Sequence, residues 1–470
     1  MRTVGIIAEY NPFHTGHKYH IQEAKKLADA DYAVVVMSPD FVQRGEPAIF
    51  DKYTRARMAL QCGADLVVEL PVCYATGSAE YFAEGAVRML DALGVVNALC
   101  FGAEPEDVSA ANARINKAPA QQQSAYVDAF RSVAALLLEE PEPYKEMLRK
   151  GLRRGMTFPK ARAKAAAYCL SDTESAETLL STPNNILGVE YCKALQRISS
   201  SITPVPVLRK GSLYSNQDLA GDYCSAGAIR TCLRGKWQLL PTQGAAPSGA
   251  DYDPALRSEL SRYIPAACAE SFWDASRTPV FPDELLPVLT QKLLCGNINF
   301  PSAENFADSY TGKSIGHPAE NRFDDIHDIS PALSARMEKL RFNCVGKSFD
   351  ETVALIKTKQ ITETHVRRAL LHLVLDIRKA DMVSWRTNGG VFYAHLLGFR
   401  QDAAPLLHEI KIRSALPLIS KAAHAPGLLS DMGLQMWNQD TAASHLYRSL
   451  RTLRYGTPFR SEYEISPIHI

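Results

Sequence analysis

The sequence of 470 residues lacks several features, and each absence excludes a class of protein. It has no run of about 18 apolar residues, so we expect no membrane-spanning segment. Its first residues, MRTVGII, lack the charged start and the cleavage site of a signal peptide, which predicts a cytoplasmic protein. Its ten cysteines include no CxxC pair, so neither a zinc site nor a secreted disulfide framework is indicated. The formal net charge of +1 neither requires nor excludes a polyanionic partner.

Strand and helix patterns alternate over the first hundred residues. Short apolar, β-branched runs near Val4, Tyr32, Asp65 and Ala98 predict four buried strands. Amphipathic helix patterns lie between them, as in DKYTRARMALQCGA, which is expected to end near Gly63. Strands that alternate with helices predict a parallel sheet with covering helices, which is the α/β fold class.

The pattern then changes along the chain and predicts two domains. Residues from about 110 to 180 are almost entirely helical and are expected to form an insertion. A Gly-, Pro- and Ser-rich piece, LPTQGAAPSGADYDP, interrupts the chain further on, and helical periodicity dominates beyond it. We therefore predict an α/β domain over residues 1–245 and a mainly α-helical domain over residues 246–470.

Three of the twelve histidines, His14, His17 and His20, lie within seven residues directly after the first predicted strand. In an open parallel sheet, ligands bind at the carboxyl ends of the strands, where a loop commonly leads to a helix N-terminus. Such a terminus offers unpaired N–H groups and the positive end of the helix dipole to a phosphate. Gly16 lets the backbone approach a ligand, and two imidazoles three residues apart can stabilise charge on a phosphorus centre. His14 and His17 are therefore predicted to be catalytic.

Two other interpretations of these histidines stay open on the residues alone. The side chains could be surface or helix-capping groups. They could also chelate zinc, because histidines three residues apart can share a metal ion. No cysteine or further histidine nearby completes a set of ligands, and no metal site is predicted.

The motif HTGH resembles the HxGH signature of the nucleotidyltransferase superfamily, which includes cofactor adenylyltransferases and class I aminoacyl-tRNA synthetases. A second superfamily element, ISSTxIR, is similar to SAGAIR at residues 225–230, and no KMSKS-like loop of the synthetases is present. Longer stretches are more specific: AEYNPFHTGHKYHI, FVQRGEPAIFDKYTRARMAL, GADLVVELP, PNNILGVEYCKAL, IKTKQITETHVRRALLHLVL and YAHLLGFR. Together they resemble the bacterial tRNA(Met) cytidine acetate ligase family over most of the chain. The sequence departs from the family pattern in KTKQIT, where a more basic segment is usual, and at Gly227, where threonine is usual.

This resemblance implies a Rossmann-like nucleotidyltransferase domain at the N-terminus and an ATP-dependent ligase activity. Such an enzyme activates acetate as acetyl-adenylate and transfers the acetyl group to N4 of the wobble cytidine of elongator tRNA(Met), which gives N4-acetylcytidine. ATP is the implied co-substrate. Mg²⁺ is expected with it on chemical grounds, although no carboxylate cluster in the sequence identifies its ligands. Acetate and elongator tRNA(Met) are the implied partners, and residues 246–470 are the expected tRNA-binding region.

The resemblance also assigns residues to the ATP site. Its ATP-binding loop matches Ile7, Ala8, Glu9, Tyr10, Asn11, Pro12, Phe13, His14, Thr15, Gly16, His17, Lys18, Tyr19 and His20, with His14 and His17 facing the phosphates. Further ATP contacts fall on Gly102, Asn184, Asn185, Arg209, Ser225 and Arg230. Without the resemblance, the favoured interpretation of the two asparagines is a turn or a helix cap. For Arg209 and Lys210 it is a solvated loop.

Several further polar residues are candidates for RNA or substrate contact. Gln43, Arg44 and Glu46 follow the second predicted strand and would face the same crevice. A tRNA substrate requires basic surface, and the resemblance makes candidates of Arg149, Lys150, Arg153, Arg154, Lys160, Arg162, Lys164, Lys357, Lys359, Arg367, Arg368, Arg448, Arg451 and Arg454. Without the resemblance, basic runs of this kind are interpreted as solvent-exposed faces of the protein.

Two rival functions stay open at this point. A small-molecule cofactor adenylyltransferase would use the same HxGH loop and would require no tRNA. A non-enzymatic RNA-binding protein on a nucleotidyltransferase fold would carry out no ATP-dependent chemistry, and the intact HxGH and SAGAIR motifs argue against it.

Overall fold

The computed structural model describes residues 1–104, 120–170, 173–208, 224–237, 254–295 and 323–470. The chain forms two compact units. The first contains Met1–Gln43, Pro47–Phe281 and Gly389–Ile470, and the second contains Arg44–Glu46 and Pro282–Asn388. No helix within the described ranges is long and apolar enough to cross a membrane.

The strands form one large mixed sheet and one small sheet. In chain order they are β1 (Thr3–Ala8), β2 (Tyr32–Met37), β3 (Phe41–Val42), β4 (Glu46–Pro47), β5 (Leu66–Glu69), β6 (Ala98–Ala103), β7 (Thr203–Leu208), β8 (Ala394–Phe399), β9 (Leu418–Ile419) and β10 (Ile468–His469). The large sheet has eight strands in the order β10-β8-β5-β2-β1-β6-β7, with β9 paired to β8, while β3 and β4 pair separately. Strand β1 is parallel to β2 and to β6, whereas β8 is antiparallel to β5.

The middle strands are buried because their residues are apolar and are covered by helices. Gly5 in β1 shows how closely one helix approaches. A Cβ atom at this position would lie 2.9 Å from the methyl groups of Leu90 in the helix Ala79–Ala92, so glycine is required for this packing. The tight packing holds β1, and the loop that follows it, in a fixed place.

Helices make up most of the rest of the first unit. They are Thr15–Leu27, Lys52–Gln61, Val72–Ala75, Ala79–Ala92, Ala120–Glu139, Glu142–Arg153, Phe158–Cys169, Thr173–Leu179, Pro183–Arg197, Ala226–Trp237, Pro254–Leu260, Ala269–Ala275, Ala404–Arg413, Ala425–Leu428 and Asp431–Tyr455. Short 3₁₀ turns lie at Ser261–Tyr263, Ala266–Cys268, Gln401–Ala403, Ala422–His424 and Glu462–Glu464.

Apart from Glu46 in β4, the second unit is mainly helical in its described residues. Its helices are Leu286–Cys295, Pro331–Leu340, Phe349–Ile356, Glu363–Leu375 and Lys379–Thr387, with 3₁₀ turns at Pro282–Leu285 and Arg341–Cys344. Residues Arg44–Glu46 belong to this unit because Gly45 lies against the backbone of Arg367, where a Cβ atom would come within 2.4 Å.

The predicted fold class is confirmed: an α/β sheet in the N-terminal part is followed by a mainly helical C-terminal part. The four strands expected from the sequence are β1, β2, β5 and β6. Strand β8 was not expected, and it turns the parallel sheet into a mixed one. The domain boundary predicted at residues 245 and 246 lies outside the described residues, so the division into residues 1–245 and 246–470 stays a prediction.

Candidate active site

The loop after β1 carries the predicted histidines into the helix Thr15–Leu27. His14 is the N-cap residue of this helix, and its Nδ1 atom accepts a hydrogen bond of 3.0 Å from the N–H of Gly16. The Nδ1 atom of His17 accepts one of 3.3 Å from the N–H of His14. The two side chains form a capping box, and their ring centroids are 3.9 Å apart. Capping therefore fixes both rings at the N-terminus of the helix.

These hydrogen bonds also determine which nitrogen of each ring carries the proton. Because both Nδ1 atoms accept, each neutral imidazole carries its proton on Nε2, which is then a hydrogen-bond donor. His14 is buried and His17 is half-buried. Two Nε2–H donors beside a helix N-terminus add to its backbone N–H groups, and this arrangement can stabilise negative charge on a phosphate.

Aromatic side chains from the same loop support the histidine pair. Tyr10 and Phe13 are buried, with ring centroids 4.8 Å apart in an edge-to-face arrangement. The ring of His17 lies 4.9 Å from Tyr10 and 5.5 Å from Phe13, measured between centroids. Such packing limits the rotation of the imidazole. The aromatic rings therefore help to fix the position of the imidazole.

Arg55 ties this loop to the loop after β2. The side chain is fully buried, and its guanidinium donates to four backbone carbonyls: Phe50 at 2.9 Å, Glu9 at 2.5 Å, Ser38 at 3.1 Å, and Pro39. The N–H of Gln43 also donates a hydrogen bond of 2.9 Å to the carboxylate of Glu9. Glu9 and Ser38 each follow a strand of the same parallel pair, so these bonds hold two neighbouring strand ends together.

The end of β6 is held by the predicted pair of asparagines. Asn185 is fully buried, and its side-chain amide bonds to both backbone groups of Glu104: it accepts from the N–H at 2.8 Å and donates to the C=O at 2.9 Å. Asn184 donates to the carboxylate of Glu104 instead. Asn185 is therefore a backbone clamp, whereas the partly exposed Asn184 is the better candidate for a ligand contact, and Gly102 lies two residues before the clamped position.

The SAGAIR motif reaches the histidine loop through Arg230. Ser225 directly precedes the helix Ala226–Trp237, and its hydroxyl accepts from the N–H of Ala228 at 3.1 Å. The guanidinium of Arg230 donates to the backbone C=O of Asn11 at 2.6 Å. The side chain of Asn11 is itself fixed, because its Oδ1 atom accepts from the N–H of Ile49 at 2.8 Å. Two distant motifs of the sequence are thus brought into contact.

The topology places these residues where a parallel sheet binds ligands. The chain runs from β1 to β2 on one side, and β6 lies on the other side of β1, so the direction of strand order reverses between β1 and β6. Crevices form at such reversals, beyond the carboxyl ends of the strands. The histidine loop follows β1, and Gly102 and Glu104 lie at the end of β6. The histidine loop and the end of β6 therefore lie on the two sides of this reversal.

Some predicted residues lie elsewhere or cannot be placed. Arg209 and Lys210 lie outside the described residues. Arg44 and Glu46 belong to the second unit, whereas Gln43 belongs to the first. Roles in ligand binding stay predictions for every residue of the site.

Many of the predicted RNA contacts are already in ion pairs. Their partners are Glu142 for Arg149, Glu190 for Arg162, Asp350 and Glu363 for Arg367, Asp328 for Arg368, Glu462 for Arg448 and Asp51 for Arg451. A paired guanidinium can still contact a phosphate, but its charge is largely compensated. The basic runs are therefore weaker RNA candidates than their sequences indicated.

The sequence analysis did not anticipate a buried ionic network at the end of β5, which we call the lysine cluster: Lys52, Glu69, His395 and Glu462. The ammonium of Lys52 lies 2.7 Å from Glu69, 2.8 Å from Glu462 and 2.9 Å from the hydroxyl of Ser444. His395 is hydrogen-bonded to Glu69. Burial lowers the pKa of Lys52, but Glu462 and Glu69 more than offset this, so the pKa lies well above its ordinary value. Lys52 is therefore charged.

The same cluster has the spacing of a metal site. Ligand atoms of Glu69, His395 and Glu462 all lie within 4.8 Å of one another. The Lys52 ammonium already supplies a positive charge in contact with both carboxylates. A divalent ion would have to displace it, so the cluster is an ion-pair network and not a metal centre. The four residues are far apart in sequence and belong to different motifs, so no local pattern could reveal them.

Comparisons with known proteins place the chain in a family. Residues 1–457 match the family model described as HIGH Nucleotidyl Transferase. A tRNA(Met) cytidine acetate ligase of Caldanaerobacter subterraneus subsp. tengcongensis is 35% identical, with 95% of each chain covered. The Clostridium novyi protein of the same name is 30% identical, with 100% of each chain covered. The crystal structure of Thermotoga maritima TmcAL bound with alpha-thio ATP superposes with a TM-score of 0.79, at 28% identity and 100% coverage of both chains. The chain belongs to the tRNA(Met) cytidine acetate ligase family, a family of ligases.

Proposed function

We propose that this chain uses ATP to activate acetate and transfers the acetyl group to N4 of the wobble cytidine of elongator tRNA(Met). The names of the relatives support the acid and the acceptor. The T. maritima relative, crystallised with alpha-thio ATP, supports the nucleotide. The observation in this chain that carries the proposal is the close pair of His14 and His17 at a helix N-terminus, beyond the carboxyl end of β1.

The chemistry requires two group transfers. In the first, a carboxylate oxygen of acetate attacks the α-phosphorus of ATP, the bond to the β-phosphate oxygen breaks, and pyrophosphate leaves. In the second, N4 of cytidine attacks the acetyl carbon, AMP leaves with the electron pair of the broken bond, and N4 loses a proton. Acetate alone is a poor acyl donor because oxide is a poor leaving group, which is why the activation step is needed.

The first step needs charge stabilisation more than acid–base chemistry. Negative charge builds up on the phosphate oxygens while pyrophosphate departs. We assign this charge to the Nε2–H groups of His14 and His17 and to the backbone N–H groups of the first helical turn. Asn184 and Gly102 are assigned to the nucleotide on the opposite side of the crevice, and Ser225 to its phosphates. Arg230 positions the loop through its bond to Asn11 and adds positive charge beside it.

Mg²⁺ bound with ATP would neutralise part of the phosphate charge. The two carboxylates next to the site, Glu9 and Glu104, each have a hydrogen-bond partner in the Gln43 N–H and in Asn184, respectively. Among the described residues neither belongs to a cluster of metal-ligating side chains, so the residues present fit an ion held mainly by the phosphates and by water. His14 and His17 would stabilise the phosphate charge that remains.

The test is nucleoside mass spectrometry of elongator tRNA(Met), unmodified at the wobble position, after incubation with the protein, ATP, Mg²⁺ and labelled acetate. We expect labelled N4-acetylcytidine, and none when ATP is omitted. Folded protein that binds ATP but produces no label would contradict the proposal. Transfer of AMP from ATP to a small molecule in the absence of tRNA would favour a cofactor adenylyltransferase. RNA binding without any ATP turnover would favour a non-enzymatic binding protein.

A further inference from the structure

A second polar site lies in the first unit, and it shares no residue with the candidate active site. It is a pocket of about 490 Å³ lined by four arginines, which we call the arginine pocket: Arg57, Arg448, Arg451 and Arg460. The helix Lys52–Gln61 supplies Arg57, the helix Asp431–Tyr455 supplies Arg448 and Arg451, and the C-terminal segment supplies Arg460. Two carboxylates, Asp51 and Glu464, also line it, which leaves a net charge of +2.

Two of the four guanidinium groups are held rigidly and form one wall of the pocket. Arg448 is paired with the buried Glu462 and donates to the C=O of Arg460 at 3.1 Å. Arg451 lies 3.0 Å from Asp51 and donates to the hydroxyl of Thr278 at 2.8 Å. These bonds hold both guanidinium groups in place, and the paired carboxylates compensate most of their charge. The two groups therefore form a fixed wall of the pocket.

The other two arginines have no counter-ion. Both are exposed, and neither forms an ion pair within the part of the chain that the structure describes. The guanidinium of Arg460 donates to the backbone C=O of Glu464 at 3.2 Å. Exposed, unpaired guanidinium groups beside fixed ones provide the forked donors that phosphate oxygens require. The hydroxyls of Thr457 and Ser466 line the same pocket and can donate as well.

Two exposed aromatic rings belong to the same C-terminal segment as Arg460, which lines the pocket. Phe459 and Tyr463 are each 48% exposed, and they lie on either side of Arg460 in the sequence PFRSEY. The ring of Phe459 is supported by His445, at 5.7 Å between centroids. Large rings of this kind are usually buried, and beside a cationic pocket they offer flat surfaces on which unpaired bases stack. Free phosphate would use the arginines only, whereas an RNA loop would use the arginines and the rings.

We propose that the arginine pocket binds a backbone phosphate of single-stranded RNA while Phe459 and Tyr463 stack on adjacent unpaired bases. The inference rests on the proposed function for the identity of that RNA, the substrate tRNA. It assigns RNA contact to Arg57, Phe459, Arg460 and Tyr463, which the basic runs of the sequence did not include. Arg448 and Arg451 form the fixed wall of the pocket.

The test measures the binding of fluorescently labelled, unmodified elongator tRNA(Met) by anisotropy over a range of salt concentrations. Two double variants are compared. One combines Arg57→Ala with Arg460→Ala, and the other combines Phe459→Ala with Tyr463→Ala. All four side chains are exposed, so the fold should survive, and Lys26→Ala provides a control at another exposed cation. We expect roughly tenfold weaker tRNA binding for each double variant. The control should bind tRNA as the wild-type protein does. The salt dependence should fall for the arginine pair only, by about one to two counterions.

Three results would overturn the inference: wild-type affinity in both variant pairs, equal competition by a base-paired RNA duplex, or competition by inorganic phosphate alone. Acetate-dependent exchange of labelled pyrophosphate into ATP needs no tRNA, and it should be the same in all variants. Wild-type protein that binds tRNA through the pocket without acetylating it would contradict the proposed function but support the pocket. Acetylation that is unaffected in both pairs would support the function and contradict the pocket.

Discussion

The histidine loop and the lysine cluster both lie at the carboxyl ends of strands of one sheet, yet they are built in opposite ways. His14 and His17 are three residues apart, and their rings are fixed by the backbone N–H groups of Gly16 and His14, respectively. Lys52 and Glu462 are 410 residues apart in the sequence and are fixed by mutual charge. The first arrangement leaves Nε2 donors next to a crevice, while the second compensates charges inside a core where the lysine is 1% exposed. Local fixation suits an exchangeable ligand, and charge compensation suits permanent contact between distant parts of the chain.

The largest effect that separates the two regions should come from Lys52→Met. The change leaves Glu69 and Glu462 buried beside each other without the ammonium, and breaking a buried pair in this way costs about 3–5 kcal/mol. The free energy of unfolding, measured in urea, should fall by that amount. Arg149→Met removes an exposed pair with Glu142 and should cost below about 1 kcal/mol. Equal losses in the two variants would mean that the cluster does not stabilise the fold as its burial implies.

His17→Ala should give the converse result. The ring is half-buried and its loss leaves no buried charge, so unfolding should change little. Loss of one donor to a developing phosphate charge should slow acetate-dependent pyrophosphate exchange roughly 100- to 1,000-fold. Binding of tRNA should be unchanged. His408→Ala, an exposed histidine in another helix of the same unit, is the control and should keep full activity. Normal exchange by His17→Ala would remove the role assigned to this histidine.

These two regions also show how far the sequence alone could be used. The strands β1, β2, β5 and β6 and the histidine loop were predictable because apolar runs and residue spacing are local signals. Arg55 stands in a stretch that resembles the family, but its four carbonyl partners come from turns whose proximity depends on the finished sheet. Strand β8 has six residues, as β1 does, but its antiparallel place beside β5 depends on a chain return over more than 300 residues. Pairings of that kind leave no periodic pattern in a single sequence.

Asp440, which adjoins the lysine cluster, should make stability depend on pH. Burial, reinforced by the charge of Glu69, raises the pKa of Asp440 to about 8. A carboxyl with a raised pKa in the folded state contributes stability that is complete below its unfolded pKa of about 3.9 and is lost as pH rises through about 8.

The variant Asp440→Asn imitates the protonated acid. Its amide can still accept from the N–H of Val72 and can donate to Tyr393. Urea unfolding of both proteins near pH 5 and above pH 8 should show a variant that gains stability relative to wild type as pH rises. A stability difference that stays constant between the two pH values would mean that Asp440 does not titrate in this range.

The smallest change in the free energy of unfolding should come from the asparagine pair, Asn184 and Asn185. Here two neighbouring residues are compared. Asn185→Ala leaves the buried N–H and C=O of Glu104 without their side-chain partner and should cost about 1–3 kcal/mol in urea unfolding. Asn184→Ala removes a partly exposed group that touches no backbone, so it should cost below about 0.5 kcal/mol. Pyrophosphate exchange should respond in the opposite order, with the KM for ATP rising more for Asn184→Ala. If Asn185→Ala instead raised this KM and left stability unchanged, Asn185 would be the ligand contact and Asn184 the support. The stability of the strand end and the recognition of the nucleotide would then reside in the opposite members of the pair.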